Sequence, residues 1–224
     1  MISRVKQFLL RTYLHQSTNW FVWDLDGTLW RDQKAIIKLK STYFDYLLNN
    51  SRQSMTMADF DQLTLVYGSW IKTVAHFTKH SHHKISTSIN RHLNLSLLIT
   101  PNAKVEQLIN KLNKHNHFIF SNSPANHVIS ILHKLGFSKN LTKNNPRPFS
   151  EIITREDMNS PKPHSTAFKT IIQHTKSPTH KHLIIGDSSE EDIIPARKLG
   201  FKAIHVEKFL ELHNIQARHF FGEN

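Results

Sequence analysis

The 224-residue sequence contains no cysteine, and it has no apolar run long enough to cross a bilayer. Without cysteine, the chain forms no disulfide and offers no thiolate for chemistry. Because this fits a reducing compartment, we expect a cytoplasmic protein without a membrane partner. Hydrophobic residues still make up 38% of the chain, so the composition is that of a folded protein and not of a disordered one. The length suits one α/β domain, or a domain with a modest insertion.

Acidic residues are scarce relative to basic ones. The chain has 17 Asp and Glu against 29 Lys and Arg, which gives a formal net charge of +12 and a pI of about 9.9. Such a charge attracts anions in general, including phosphate esters and nucleic acids. The basic residues are spread along the chain without a block of five or six, so the charge alone does not identify a nucleic-acid-binding module. Nothing in the sequence indicates the oligomeric state.

The first 20 residues carry Arg4, Lys6 and Arg11, and no acidic residue precedes Asp24. We expect this segment to form a short basic helix that leads into the first strand. An organellar presequence is the alternative interpretation, and the segment is too weakly apolar for a secretory signal.

Apolar runs that end at turn residues alternate with helical patterns over most of the chain. The predicted strands are NWFVWDL (19–25), HFIFSN (117–122), FSEIIT (149–154), HLIIG (182–186) and KAIHV (202–206). Between them, apolar residues recur at helical spacing. This alternation predicts an α/β fold, in which a parallel sheet carries helices on both faces.

A helical insertion separates the first two predicted strands. Asp24 and Ser121, which end these strands, lie 97 positions apart, whereas a strand–helix–strand unit takes about 30 residues. Residues 31–98 show helical spacing with a break at Gly68, and Thr100-Pro101 then reads as a helix start. We therefore predict a core of residues 1–30 and 99–224 and an all-helical cap of residues 31–98. Ligands of open parallel sheets bind at the carboxyl ends of the strands, where such a cap would stand.

Candidate polar side chains stand at four places: after the first, second and fourth predicted strands, and in the loop that contains Lys162. Clustered carboxylates repel one another unless a cation lies among them, and oxygen ligands suit magnesium together with a substrate phosphate. A lysine and a serine at the same edge would hold that phosphate and offset carboxylate charge. The candidate residues are Asp24, Asp26, Thr28, Ser121, Asn122, Lys162, Asp187 and Asp192.

Two carboxylates one residue apart suit phosphoryl transfer. One carboxylate can attack phosphorus and form an aspartyl-phosphate. The other can protonate the leaving oxygen and later deprotonate the attacking water. Gly27, which follows the second carboxylate, permits the tight turn that brings both to one site.

The segments DLDGT, FSNS, PKP and GDSSEED resemble, in order, the four motifs of the haloacid dehalogenase superfamily over about residues 20–206. The resemblance implies a Rossmann-like three-layer core with a helical cap and a magnesium cofactor. It further implies roles for the matching residues. Asp24 is then nucleophile and metal ligand, and Asp26 is the acid/base and gives its backbone carbonyl to the metal. Ser121 and Lys162 bind phosphate, and Asp187 is a metal ligand. Asp192 is the last acid of the fourth motif and a metal ligand, with Glu191 as its alternative.

The remaining two candidates, Thr28 and Asn122, are assigned to substrate phosphate, although Asn122 could equally support the backbone. Within the superfamily, FSNSPANHVISILHKLGF is similar to the pyrimidine 5′-nucleotidase group. The sequence departs from that group at Gly27, Trp30 and Gly186. The expected function is a magnesium-dependent phosphomonoester hydrolase for a small phosphorylated metabolite, such as a nucleoside monophosphate.

Several alternatives stay open at this point. The two aspartates after the first strand could form a structural turn, and Ser123 is more typical of a helix cap than of a ligand. The run HSHH at 80–83 suggests zinc only weakly, because no cysteine or carboxylate stands near it. Two functional alternatives are a phosphatase acting on nucleic-acid ends and a catalytically idle basic binding protein; the presence of all four motifs argues against the second.

Overall fold

The computed structural model describes residues 9, 11–12, 14–67, 69–93, 99 and 102–221. By its internal contacts the chain divides into two compact units. One comprises Met1–Arg31 with Thr100–Asn224, and the other comprises Asp32–Ile99. Gly68, Thr100, Pro101 and most of the basic leader lie outside the described residues.

The first unit contains a five-stranded sheet in which every pairing is parallel. The strand order is β3-β2-β1-β4-β5. The strands are β1 (Trp20–Trp23), β2 (Asn116–Phe120), β3 (Glu151–Ile153), β4 (His182–Gly186) and β5 (Lys202–His205). This confirms the predicted α/β, Rossmann-like fold, with strands shorter than the apolar runs that indicated them.

Both faces of the sheet are covered, which explains why its central strand is apolar at successive positions. Val22 of β1 belongs to a buried cluster that includes Phe118 and Phe168. Its neighbours in β1 point to the other face, where the Phe21 and Trp23 rings make edge contacts with Phe209 at centroid distances of 5.8 and 5.2 Å. The alternation of side chains along β1 thus builds a three-layer core.

Helices of the first unit follow the strands in turn. Their bounds are Lys104–Lys111, Ala125–Lys134, Ser165–Thr175, Ile194–Lys198, Val206–Leu212 and Ala217–Phe221. The helical segment after β4 is not regular, since a π-helical turn, Ser189–Ile193, precedes the α-helix Ile194–Lys198. Pro195 gives the reason, because it has no N–H to bond a carbonyl in the preceding turn.

The second unit consists of helices and connecting loops, without a strand, over its described residues, 32–67, 69–93 and 99. Its helices are Gln33–Asn50, Met57–Tyr67, Trp70–Thr78 and His82–His92. Asp32 begins the first of these, because its carboxylate accepts hydrogen bonds from the backbone N–H groups of Lys34 and Ala35. The helices bury a core of their own, which comprises Leu47, Phe60, Val74, Ile85 and Ile89. Among the described residues of both units, no helix is long and apolar enough to cross a membrane.

Candidate active site

Backbone hydrogen bonds extend the sheet just beyond its strands and so fix the first residues of the site. The N–H of Asp24 donates to the Ile185 carbonyl at 2.9 Å, and the N–H of Ser121 donates to the Ile153 carbonyl at 3.0 Å. Asp187 directly follows β4. The carboxyl ends of parallel strands lie at one edge, so the sheet brings these three side chains to the same side of the core.

Lys162 lies between two carboxylates in the interior. Its Nζ is 2.6 Å from Asp24 Oδ1 and 2.6 Å from Asp192 Oδ1. Lys162 is 4% exposed, Asp24 is 7% exposed and Asp192 is 2% exposed, so these ion pairs are shielded from water. Burial would lower the pKa of Lys162, but the two carboxylates raise it above its usual value. The lysine is therefore a permanent cation, and of the two residues considered for the last acid it is Asp192, not Glu191, that contacts it.

Asn122 holds the backbone of Lys162. Its Oδ1 accepts from the Lys162 N–H at 2.8 Å, and its Nδ2 donates to the Lys162 carbonyl at 3.2 Å. Its Nδ2 also lies 3.3 Å from a carboxylate oxygen of Glu191. Of the two roles considered for Asn122, these contacts favour backbone support.

Three carboxylates of the site fit a hard cation. One oxygen from each of Asp24, Asp187 and Asp192 lies within 4.8 Å of the others, and no other group of this kind occurs in the described part of the chain. The acids approach closely because glycine faces them. A Cβ at Gly27 would lie 2.2 Å from Asp187 Oδ2, and one at Gly186 would lie 2.4 Å from Asp192 Oδ2. The oxygen-only ligand set suits magnesium.

The nucleophile candidate, Asp24, has a raised pKa. Burial raises the pKa of Asp24 well above its usual value, Lys162 opposes the rise, and the neighbouring aspartates add to it. Burial likewise raises the pKa of Asp187. A divalent cation among these groups would favour their ionised forms, so the electrostatics of the cluster also fit a bound metal ion.

Thr28 supports the same carboxylates. Its hydroxyl donates to Asp24 Oδ2 at 2.9 Å and lies 3.5 Å from Asp187 Oδ1, and its side chain has no exposed surface. The turn that buries it depends on Gly27, whose φ of +88° lies in the left-handed region. The hydroxyl assigned to substrate phosphate is thus directed to the two aspartates.

Asp26 is surrounded by hydrogen-bond donors. Its Oδ1 accepts from Trp30 Nε1 at 3.0 Å and lies 2.8 Å from His127 Nε2. Its Oδ2 accepts from the hydroxyls of Ser123 at 2.6 Å and Ser121 at 3.4 Å. The interpretation of Ser123 as a helix cap was wrong: Pro124 occupies the N-cap position and no side chain caps that helix.

These donors determine the ionisation of Asp26. Burial alone would raise its pKa, but His127 and the hydrogen bonds from Ser123 and Trp30 lower it to about 2. Burial would lower the pKa of His127, and Asp26 raises it instead. The isolated site therefore holds Asp26 as a carboxylate. The roles of His127 and Trp30 were not predicted from the sequence, since the only signal is a histidine in the first turn of the helix after β2.

In the histidine run at 80–83, the contacts of the His80 ring are those of an ordinary polar residue. His80 Nδ1 lies 2.9 Å from the Tyr46 hydroxyl, and Lys84 Nζ lies 2.9 Å from His80 Nε2. A lysine ammonium at a ring nitrogen takes the lone pair that a metal would need. The contacts of His80 do not support a zinc site.

Comparison with solved structures shows shared folds at low sequence identity. CbbY from Rhodobacter sphaeroides, in complex with xylulose 1,5-bisphosphate, has a TM-score of 0.61 at 13% identity, over 84% of this chain and 85% of that one. A predicted phosphoglycolate phosphatase from Haemophilus somnus scores 0.59 at 17% identity, over 91% of each chain. YfnB from Bacillus subtilis, a putative hydrolase bound to magnesium, scores 0.52 at 16% identity, over 88% of this chain and 99% of that one.

Comparison of the sequence gives the family directly. No protein with a curated description matches the chain. The family model described as haloacid dehalogenase-like hydrolase matches residues 21–206, which include all of the motif residues discussed above. The chain therefore belongs to the haloacid dehalogenase-like hydrolase family.

Proposed function

We propose that the protein is a magnesium-dependent phosphomonoester hydrolase that works through an aspartyl-phosphate. The observation that carries this proposal is the arrangement of two chemically different aspartates at one sheet edge. Asp24 lies against a buried ammonium and two further carboxylates, whereas Asp26 lies among neutral donors and a histidine. Two carboxylates in contrasting environments suit two different roles.

Asp24 is the proposed nucleophile. Its Oδ1 and Oδ2 are fixed by Lys162 and Thr28, which restricts the carboxylate to one orientation. One of its oxygens forms a bond to phosphorus while the bond from phosphorus to the leaving oxygen breaks. The ammonium of Lys162 stabilises the phosphoryl oxygens, and the Ser121 hydroxyl adds a hydrogen-bond donor.

Asp26 is the proposed acid and base. It gives a proton to the leaving oxygen in the first step and takes one from the attacking water in the second, as the aspartyl-phosphate is hydrolysed. The low pKa of about 2 belongs to the site without substrate. Negative charge of an entering phosphate would raise that pKa and favour protonation of Asp26.

Asp24, Asp187 and Asp192 would hold the magnesium ion, and the backbone carbonyl of Asp26 is a further predicted ligand. When bound, magnesium supplies positive charge that offsets repulsion between the carboxylates and the substrate phosphate. The carboxylate cluster supports this assignment because it holds more negative charge than Lys162 alone balances.

A small phosphorylated metabolite, such as a nucleoside monophosphate, is the proposed substrate. The xylulose bisphosphate bound by CbbY supports the class of small phosphate esters, and the sequence similarity to pyrimidine 5′-nucleotidases supports the nucleotide. We further propose that residues 31–98 act as the cap that selects this substrate. The chain enters that unit at Asp32, six residues after Asp26, which supports the proposal.

The test is hydrolysis of a panel of sugar phosphates and nucleoside monophosphates with magnesium. We expect phosphate release that stops with excess chelator and returns with added magnesium, and Asp24→Asn serves as the blank for contaminating phosphatases. Full activity in chelator would contradict the metal assignment.

The net charge of +12 would favour the alternative substrate, a nucleic-acid end, and the same hydrolysis assay tests it. A 5′-phosphorylated oligonucleotide should lose turnover steeply as salt rises, because binding a polymer releases counterions. A monophosphate should show a shallow dependence. Preference for the oligonucleotide with a steep salt slope would replace the proposed substrate, and turnover of neither would favour the idle binding protein.

A further inference from the structure

The two oxygens of Asp26 have different kinds of partner. Oδ1 is bonded by two rings, the indole of Trp30 at 3.0 Å and the imidazole of His127 at 2.8 Å. Oδ2 is bonded by two hydroxyls, those of Ser123 at 2.6 Å and Ser121 at 3.4 Å. The carboxylate therefore has a side held by rings and a side held by alcohols.

These partners differ in what they allow. An indole N–H can only donate, so a proton on Oδ1 would point at another proton. A serine hydroxyl can rotate and accept, so Oδ2 can carry a proton without losing its neighbours. Oδ2 is thus the oxygen that can exchange a proton with a substrate.

The ring side is fixed from two separate elements of the catalytic unit. Trp30 belongs to the same turn as Asp26, and this turn is closed by the bond from the Gly27 N–H to the Trp30 carbonyl at 2.9 Å. His127 comes from the helix Ala125–Lys134, and its side chain is only 13% exposed. Trp30 alone would move with the turn, whereas His127 ties Oδ1 to the body of the core.

We propose that His127 is a positioning residue for hydrolysis. With Trp30 it fixes Oδ1 of Asp26 and so presents Oδ2 to the leaving oxygen. As Asp24 bonds to phosphorus and the ester bond breaks, the proton on Oδ2 passes to the leaving oxygen. In the second step Oδ2 takes a proton from water while that water bonds to phosphorus and releases Asp24. This proposal depends on the proposed function.

The test compares His127→Leu with His127→Gln on two substrates, an alkyl phosphate and 4-nitrophenyl phosphate, with magnesium. Leucine removes the N–H, whereas the glutamine amide places an N–H near the position of Nε2. We expect His127→Leu to lower kcat/KM for the alkyl ester by about 10- to 100-fold, since small misplacement of a catalytic group has effects of this size. The nitrophenolate leaves without a proton, so its kcat/KM should change less than about threefold.

His127→Gln should recover most of the alkyl ester activity, and KM should be little changed in either variant. The matched control is His133→Leu, on the same helix, whose histidine contacts the Leu141 carbonyl at 3.0 Å and not Asp26. It should affect both esters alike. If His127→Leu does not fold, Trp30→Phe replaces it, because it removes the other N–H on Oδ1 and keeps a ring.

The outcomes separate this proposal from the one on which it depends. A wild-type chain that hydrolyses neither ester overturns the proposed function. A wild-type chain that hydrolyses both, with a folded His127→Leu variant equally impaired on both, overturns the positioning role alone. The same conclusion follows if His127→Gln is no better than His127→Leu. Selective loss on the alkyl ester with recovery in His127→Gln supports it.

Discussion

The two ends of the same sheet bury polar side chains in opposite ways. Around the carboxyl end, Asp24, Asp187 and Asp192 lie with Lys162 in a cluster of charges. Histidines collect toward the amino end. His15 lies 2.9 Å from both His115, which directly precedes β2, and His213, and His117 is the second residue of β2.

Backbone carbonyls and other imidazoles are the hydrogen-bonding partners at the histidine end. His115 Nδ1 lies 3.1 Å from the Thr18 carbonyl, and His213 Nδ1 lies 2.8 Å from the Phe209 carbonyl. Burial lowers the pKa values of these histidines, and those of His15 and His117 fall to about 4. His117 has both ring nitrogens paired without a charge, because one accepts from the Trp23 indole and the other lies 3.1 Å from the Leu112 carbonyl.

The acidic end is not satisfied in this way. Three carboxylates face one ammonium, and burial, with a further contribution from the neighbouring aspartates, raises the pKa of Asp24 although Lys162 opposes the rise. Burial of polar groups therefore does not by itself indicate function. What separates the two ends is charge that the protein leaves uncompensated, and such charge is where a metal ion and a phosphate would bind.

The largest expected effect comes from the same kind of substitution made at each end. Asp24→Asn should lower kcat by at least about 10⁴-fold, because an amide does not form an aspartyl-phosphate. His117→Asn should leave kcat within about threefold at neutral pH, since His117 takes no part in the chemistry. The measurements are the turnover rate and the covalent capture of phosphate, each made on the two variants. Phosphate captured covalently by Asp24→Asn would contradict the nucleophile assignment.

Within the acidic end, Asp26→Asn should slow reaction of an alkyl phosphate by about 10²- to 10⁴-fold, the usual contribution of general acid–base catalysis. The formation step should suffer least with 4-nitrophenyl phosphate, whose leaving group hardly needs a proton. Rapid-mixing measurements of each ester resolve the two steps. Equal losses on both esters in the phosphorylation step would contradict the division of roles between Asp24 and Asp26.

Lys162→Met tests how much the acidic end depends on its ammonium. Removing one partner of a buried ion pair leaves uncompensated charge, so we expect the free energy of unfolding to fall by about 3–5 kcal/mol at pH 7.5. Added magnesium should restore part of the loss by binding the carboxylates that the substitution leaves without a counter-charge. Urea unfolding with and without magnesium measures this. Unchanged stability in both conditions would show that the cluster is not under electrostatic repulsion.

At the acidic end, the sequence predicted which residues stand at the strand ends but not the long-range contacts that hold them. Asp24, Ser121 and Asp187 were identified because each follows an apolar strand, and parallel strands present their ends together. The contacts of Asn122 with Lys162 and of His127 with Asp26 join residues 40 and 101 positions apart. No local pattern encodes such pairs, because they depend on how helices and loops return to the sheet.

For Ser123, the local preference of serine for helix caps led to a wrong prediction. Serine before proline at a strand–helix junction is typical of a cap, yet its hydroxyl donates to Asp26 instead. The histidine end was not predicted at all, since its residues are scattered in sequence and carry no motif. Neutral buried histidines are recognised only when their backbone partners are known.

The smallest expected effect tests the histidine end through pH. His117 Nδ1 accepts from Trp23 Nε1 at 3.0 Å and its Nε2 lies 3.1 Å from the Leu112 carbonyl, so the buried ring is neutral. Burial lowers its pKa from 6.5 to about 4. The folded state then binds fewer protons than the unfolded state between these values, and stability falls as pH drops from about 6.5 toward 4.

A shift of this size corresponds to at most about 3 kcal/mol lost across that window. His117→Asn keeps an acceptor beside the Trp23 indole but does not titrate there, so the variant should show a shallower fall in stability than the wild type. The measurement is the free energy of unfolding in urea at intervals from pH 7.5 to 4.5, and the slope is compared because the substitution also changes packing. Parallel curves for the two proteins would mean that His117 is not the source of the acid sensitivity, and the contrast between a neutral end and a charged end of the sheet would then rest on the remaining histidines.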